Sequence, residues 1–371
     1  MVRMQDSRDP VTEGQAQGSP RIIAFMNQKG GVGKTTTVVS LGAALARAGC
    51  RTLLIDLDPQ AHVTLHLGVE PSVSDDGTPR AAYHLLLHEP APYGSPIDPR
   101  ATIVHARKHL ALIPAITDQA AIETELADAP HRHQRLAHAI ASLRKDYDFI
   151  LIDCPPSLGL LTLNGLVAAQ EVIMPMQSHF LALQGVGKLL ETVRLISQQL
   201  NPALQVRGVV LAMHDEHTNH AKEVVADLRG FFDASRGRAV PWAHAEVLNP
   251  PIRRNIKLAE CPSFGQTVFE YDPTCAGSND YAELAEELLT QPPLPPLPAP
   301  APSLEVAARA QAEPEALIEE PRQLPASTIE PRPMPAHTGA ESEAPAAPCD
   351  PAPAAPAAHA HSDQSIDAHL I

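Results

Sequence analysis

The run Lys29-Gly30-Gly31-Val32-Gly33-Lys34-Thr35-Thr36 constrains this chain more than any other feature. It follows a short apolar segment, residues 21–26, and opens an amphipathic stretch, residues 35–48, that ends at Gly49. Glycines let backbone N–H groups turn inward around an anion, and a helix N-terminus behind them adds a positive partial charge. A strand, a glycine-rich loop and a helix in that order make a phosphate cradle. In such a cradle Lys34 meets the β- and γ-phosphates and the Thr35 hydroxyl reaches Mg²⁺. The strict pattern G-x-x-x-x-G-K-[ST] asks for glycine at position 28. This chain has Gln28 there, and a second lysine, Lys29, before the glycine pair.

The rest of the body fits that start. Apolar runs at 51–57, 110–114, 149–153, 172–176 and 206–213 alternate with helical stretches. This predicts an α/β fold: a mostly parallel β-sheet flanked by helices on both faces. Residues 68–129, rich in Pro, Gly and Asp, read as short helices and turns. Three zones are expected: a flexible lead-in over 1–20, a folded domain over 21–290, and a disordered tail over 291–371. The tail holds 18 of the 38 prolines and no aromatic residue, so it cannot bury enough apolar surface to offset its ordering entropy. Within it, 303–312 and 365–371 are candidates for folding on a partner.

Charge follows the same division. Of the net -15, the tail supplies more than half, with eleven acidic and three basic residues. An acidic chain does not coat nucleic acid with its whole surface, yet a basic patch still acts within a Debye length of about 8–10 Å. Five scattered cysteines without a C-x-x-C spacing fit reduced thiols, with Cys154 a small buried residue. The first twenty residues lack an apolar run, and no stretch approaches ~18 apolar residues, so neither a signal peptide nor a membrane span is expected. His131, His133, His214, His217 and His220 lack the Cys or Glu set that would complete a zinc site, and are read as exposed polar residues.

Carboxylates complete the chemistry. Asp56 and Asp58 lie in LLIDLDPQ at the end of a predicted strand, where ligands of open α/β sheets bind, and alternation puts both on one side. Asp153, in FILIDCPPSLG, also ends an apolar strand.

KGGVGKTTT resembles the deviant Walker A loop of the ParA/MinD ATPases, which include Soj-type partition proteins. The likeness runs over about residues 20–290, through DCPPSLGLLTLNGLVAAQEVIMPMQ, HDEHTNHAKEVVADLR and IRRNIKLAECPSFGQTVFEYDPTCAGSNDYAELAEELL. It implies ATP and Mg²⁺ as cofactors, bound by Lys29, Gly30, Gly31, Val32, Gly33, Lys34, Thr35 and Thr36. It also implies catalytic roles for Lys29, Lys34 and Asp58, with Lys29 reaching a partner's nucleotide across an ATP-sandwich homodimer and Asp58 orienting the attacking water. Thr35, Asp56 and Asp153 are expected around the metal. Within this sequence no terminal amphipathic helix like that of MinD, no cluster cysteines like those of the nitrogenase iron protein and no N-terminal helix-turn-helix are expected.

Expected function is therefore DNA partition: slow ATP hydrolysis, non-specific DNA binding by the ATP dimer, and release stimulated by a ParB-like centromere-binding protein. The expected location is cytoplasmic and nucleoid-associated, with no membrane partner. Arg253, Arg254 and Lys257 are the candidate DNA contacts, followed by Arg207 and Lys222. The family usually carries I-P-R-N where this chain has Ile252-Arg253-Arg254-Asn255. Two alternatives are a related ATPase that positions a protein cargo, such as a chemoreceptor cluster or microcompartment, on the nucleoid, and a nucleotide-dependent scaffold acting through its tail.

Overall fold

Strand β1 (Arg21–Phe25) is buried along its whole length. Its alternate side chains enter different cores: Ile22 and Ala24 join one, Ile23 and Phe25 the other. A strand apolar on both faces needs a covering layer on each, and the chain supplies both. The computed structural model describes residues 19–75, 77–88, 97–178, 182–216 and 218–297, all within the unit Met1–Leu304. Residues 1–18, and the expected tail from 298 onward, lie outside the described residues.

After β1 come α1 (Lys34–Arg47), β2 (Thr52–Asp56), α2 (His62–His66), the small hairpin β3 (Ser72–Val73) and β4 (Pro79–Arg80), α3 (Ala82–Leu87), β5 (Val104–Arg107) and β6 (Leu110–Ile113). Then follow α4 (Ile122–Glu125), α5 (Arg135–Ala139), β7 (Phe149–Asp153), α6 (Leu160–Ala168), β8 (Glu171–Met176), α7 (Ala182–Gln199), β9 (Gln205–Leu211) and α8 (Asn219–Ser235). The last described elements are β10 (Glu246–Val247), α9 (Lys257–Glu260), α10 (Val268–Tyr271) and α11 (Ala276–Thr290).

The main sheet has eight strands in the order β10-β9-β8-β1-β7-β2-β6-β5. Every pairing in it is parallel except β5 on β6. From β1 the chain first builds toward β2, then returns to β8 on the other side, so the strand order reverses beside β1. In a doubly wound sheet that reversal opens a crevice at the carboxyl ends of the strands. The phosphate loop leaves β1 there.

Helix α1 stops where its glycine stands. Gly49 adopts φ 94, its N–H donates to the Ala46 carbonyl at 3.0 Å, and the Cys50 N–H reaches Leu45 at 3.1 Å. This is a Schellman ending, which a β-carbon at Gly49 would strain. Leu41 and Leu45 of α1 share a core with Leu284 and Leu288 of α11. The expected sheet is present, with the 110–114 run forming β6. The hairpin, β5 and β10 were not legible. Val104–Arg107 is a half-buried edge strand with a register break between His105 and Arg107, and β10 is only two residues long. Among the described residues no helix is long and apolar enough to cross a membrane.

Past α11 the chain is tied down beyond position 290. Arg207 donates to the Pro292 carbonyl at 2.7 Å and Gln205 to that of Pro295 at 2.6 Å.

Candidate nucleotide-binding site

The loop between β1 and α1 lies under a cavity of about 810 Å³ lined by residues 29–36 and closed on its far sides by Asp58, α2, Pro155–Ser157 and Pro262–Ser263. Gly31 and Gly33 adopt φ 71 and φ 86, the left-handed region that glycine enters without strain. A β-carbon at Gly33 would stand 3.2 Å from the Ala212 Cβ, whereas Gly30 and Gly31 face open space. Val32 is buried beneath the loop, and Thr36 lines the cavity.

Lys34, at the start of α1, is 8% exposed. Its Nζ lies 2.7 Å from Asp153 Oδ1, and the Thr35 hydroxyl donates to Asp153 Oδ2 at 2.7 Å. Asp153 ends β7, next to β1 in the sheet, so parallel pairing places a carboxylate directly beneath the loop. Burial pulls the Lys34 ammonium down. The charge and hydrogen bond of Asp153 more than reverse this, and Lys34 stays protonated.

Asp58 is 5% exposed and lines the cavity, its Oδ1 accepting the Gln60 N–H at 3.0 Å. Asp56 ends β2 with 0% exposure. Its Oδ2 accepts from the Val63 and Thr64 N–H groups and the Thr64 hydroxyl, and its Oδ1 from the Asp58 N–H at 3.2 Å. Burial, and then the charge of Asp153, push its carboxyl up to about 7. In this arrangement Asp56 fixes the turn that carries Asp58 and α2. Cys154 is fully buried, and burial raises its thiol to about 12.

This donor set fits a magnesium nucleotide. Left-handed glycines leave space above the loop, a buried protonated lysine lines the cavity, and a hydroxyl and a carboxylate stand side by side. Lys29 is exposed at the cavity's mouth, its N–H on Asn27 Oδ1 at 2.9 Å.

The basic candidates are differently placed. Arg253 is clasped by Asp280, which accepts its main-chain N–H at 2.9 Å and its guanidinium at 2.5 Å. Lys257 pairs with Glu260 at 3.0 Å and lies 5.4 Å from the centre of the Tyr271 ring. Arg254 is exposed, and among the described residues no side chain holds it. Lys222 is exposed on α8. Arg207, also expected at a DNA surface, is instead 4% exposed and bound to Glu171 at 2.7 Å, because its strand lies inside the sheet. His214 is buried too, its Nδ1 3.2 Å from the Ser178 hydroxyl, and His217 lies outside the described residues.

Several residues around the loop had no legible signal. Tyr281 of α11 meets the Thr37 hydroxyl at 3.0 Å, and Thr37 donates to the Gly33 carbonyl at 2.7 Å. Gln177 donates to the Gly31 carbonyl at 3.1 Å. The Tyr281 and Gln177 contacts join positions more than a hundred residues apart, beyond any local pattern.

A family model described as "AAA domain" matches residues 20–206. The chromosome-partitioning ATPase Soj of Treponema pallidum is 41% identical over 271 residues, covering 73% of this chain and 98% of that protein. The chromosome partitioning protein ParA of Myxococcus xanthus is 40% identical, covering 72% and 88%. Among solved structures, a Mycobacterium smegmatis protein titled cobyrinic acid a,c-diamide synthase, with bound ATP analogue and magnesium, is 40% identical. It covers 73% of this chain and 94% of its own, with a TM-score of 0.58. Fold, cradle and these likenesses agree: the chain belongs to the ParA/MinD family of P-loop ATPases.

Proposed function

We propose that this chain is a DNA-partition ATPase whose ATP-bound homodimer holds DNA without sequence preference and whose hydrolysis, stimulated by a ParB-like partner, releases it. The observation that carries this reading is the convergence of Lys34 and Thr35 on Asp153 beneath a loop that exposes Lys29. It is joined to about 40% identity with relatives named for chromosome partition. A 40% identical protein titled as a synthase was solved with an ATP analogue and magnesium, so a nucleotide site of this kind does not by itself decide the use it is put to.

In this reading Lys34 and the loop N–H groups hold the phosphates, while Thr35 and Asp153 hold the Mg²⁺. Bound Mg·ATP supplies the transferable γ-phosphoryl group and its charge neutralisation. Asp58, fixed by the Asp56 turn, orients the water, so rate comes from positioning and charge placement. Lys29, at the mouth, reaches the second copy. Arg254 supplies a phosphate contact, and Arg253 joins it to the extent that Asp280 lets go. Such contacts are salt-sensitive and blind to sequence. The domain boundaries follow the same reading, with residues 1–20 and 291–371 flanking the ATPase body.

The test is ATP hydrolysis and DNA binding by wild type, Lys34→Ala and Asp58→Ala, with ATP, with ADP, and at raised salt. Expected is ATP-dependent, salt-sensitive binding that is lost in Lys34→Ala and kept in Asp58→Ala, which no longer hydrolyses. ATP binding without DNA affinity in any nucleotide state would overturn the DNA reading and leave cargo positioning or the tail.

A further inference from the structure

Asn27 stands between the end of β1 and the phosphate loop, half-buried, and its carboxamide makes two bonds in opposite directions. Its Oδ1 accepts the Lys29 N–H at 2.9 Å, and its Nδ2 donates to the Pro175 carbonyl of β8 at 2.7 Å. The chemistry fixes that orientation, since a backbone N–H can only donate and a carbonyl can only accept. Two residues on, Gln177 reaches back to the Gly31 carbonyl at 3.1 Å and lies 3.3 Å from the Met213 sulfur. The end of β8 therefore holds the loop at Asn27 and at Gly31, and within the span 28–30 between these anchors the Lys29 N–H is tied back to Asn27.

We propose that Asn27 is the positioning residue for Lys29, setting the main chain from which the loop's second lysine leaves toward the cavity's mouth. A lysine stem carries much rotamer freedom, so an unfixed root spreads its ammonium over many positions. With the root pinned to β8, the ammonium sweeps a smaller volume around the mouth. No other side chain of this reach does both jobs. Aspartate keeps the acceptor but loses the donor and sets a negative charge against the Pro175 carbonyl; serine is too short, and alanine makes neither bond.

The turnover part of the test rests on the function proposed above; the exchange part does not. Asn27→Ala, Asn27→Asp, Lys29→Ala and the double variant Asn27→Ala/Lys29→Ala are compared in the full chain. Hydrogen exchange over residues 27–31 rises about 3- to 10-fold in Asn27→Ala, which frees the Lys29 N–H, and less in Asn27→Asp, which keeps its acceptor. Affinity for a fluorescent ATP analogue stays within about threefold of wild type, while turnover falls about tenfold. In the Lys29→Ala background, adding Asn27→Ala changes turnover less than about twofold, because the lysine it positions is gone.

Unchanged exchange would overturn the proposal whatever turnover does. Additive losses in the double variant, or a loss of nucleotide affinity as large as that of Lys34→Ala, would also overturn it by making Asn27 a prop of the whole cradle. Wild type that binds the analogue but never turns over would sink the hydrolytic function instead, and the exchange comparison would then decide Asn27 alone.

Discussion

At the scale of single residues, this protein is governed by carboxylates that each bind more than one partner. Asp153 gathers the lysine and the hydroxyl of the phosphate loop, and Asp56 gathers the main chain that carries Asp58. Both were legible as acids at strand ends, because ligand crevices form there. Their partners were not, since which donors reach a carboxylate depends on how α2 and the loop fold back. Asp280 is a third such acid, and it changes the reading of the basic loop. Buried on α11, it accepts the Arg253 main chain and guanidinium together. Asp280→Asn keeps an acceptor for the main chain and removes the charge that neutralises Arg253. Binding of non-specific duplex DNA then tightens at low salt, and the log–log salt slope steepens by about 1. A slope identical to wild type in a fluorescence-anisotropy titration would remove Arg253 from the DNA surface.

At the scale of elements, the cavity wall depends on how α2 meets the turn Cys261–Phe264. Gly68 and Gly265 both take left-handed φ, and a β-carbon on Gly68 would stand 3.0 Å from the Gly265 Cα. The two turns approach as closely as backbones can, and that approach seals His66 beside Cys261, with Nε2 3.5 Å from the sulfur. Burial lowers the His66 imidazole to about 4, partly offset by the Gln266 main chain. A histidine kept neutral in the fold binds a proton more readily once unfolded. Its contribution to stability is complete above the unfolded value near 6.5 and is lost as pH falls through about 4. The contribution is at most about 3 kcal/mol. Urea unfolding at pH 7, 5.5 and 4.5 should show stability falling with acid in wild type, and a shallower fall in His66→Gln. Equal slopes would place the acid sensitivity on other groups. None of this packing was visible beforehand, because periodicity reports which face of an element is apolar and not which distant turn covers it.

For the whole molecule, one buried ionic cluster joins the amino ends of the strands to the end of the described chain. Glu171 of β8 binds Arg21 of β1 at 2.8 Å and Arg207 of β9 at 2.7 Å. Arg21 also donates to the carbonyls of Leu288 and Gln291, and Arg207 to that of Pro292. Burial pushes the Glu171 carboxyl up, and the two guanidiniums pull it further down, below the usual carboxylate range. The residues that start the proline-rich segment are thus fastened at the edge of the sheet opposite the nucleotide cavity. Glu171→Gln leaves two buried guanidiniums without their counter-charge, and destabilises the fold by about 3 kcal/mol or more. Equilibrium urea unfolding measures this, and a change under about 1 kcal/mol would show that the cluster is well solvated.

The sequence by itself determined the sheet class, the strand that carries the loop, the loop's glycines and lysines, and the acids at the ends of β2 and β7. Each of these is a local property, set by side-chain period or by the conformations glycine alone takes freely. The tertiary structure alone decided which of the basic residues face water, that Arg207 is a buried tie, and that Asn27 and Gln177 hold the loop to β8. It also decided that Asp56 builds a turn. These outcomes depend on contacts between residues far apart in the chain. Burial there raises the cost of any unpaired charge or polar group, and packing settles which partner answers it.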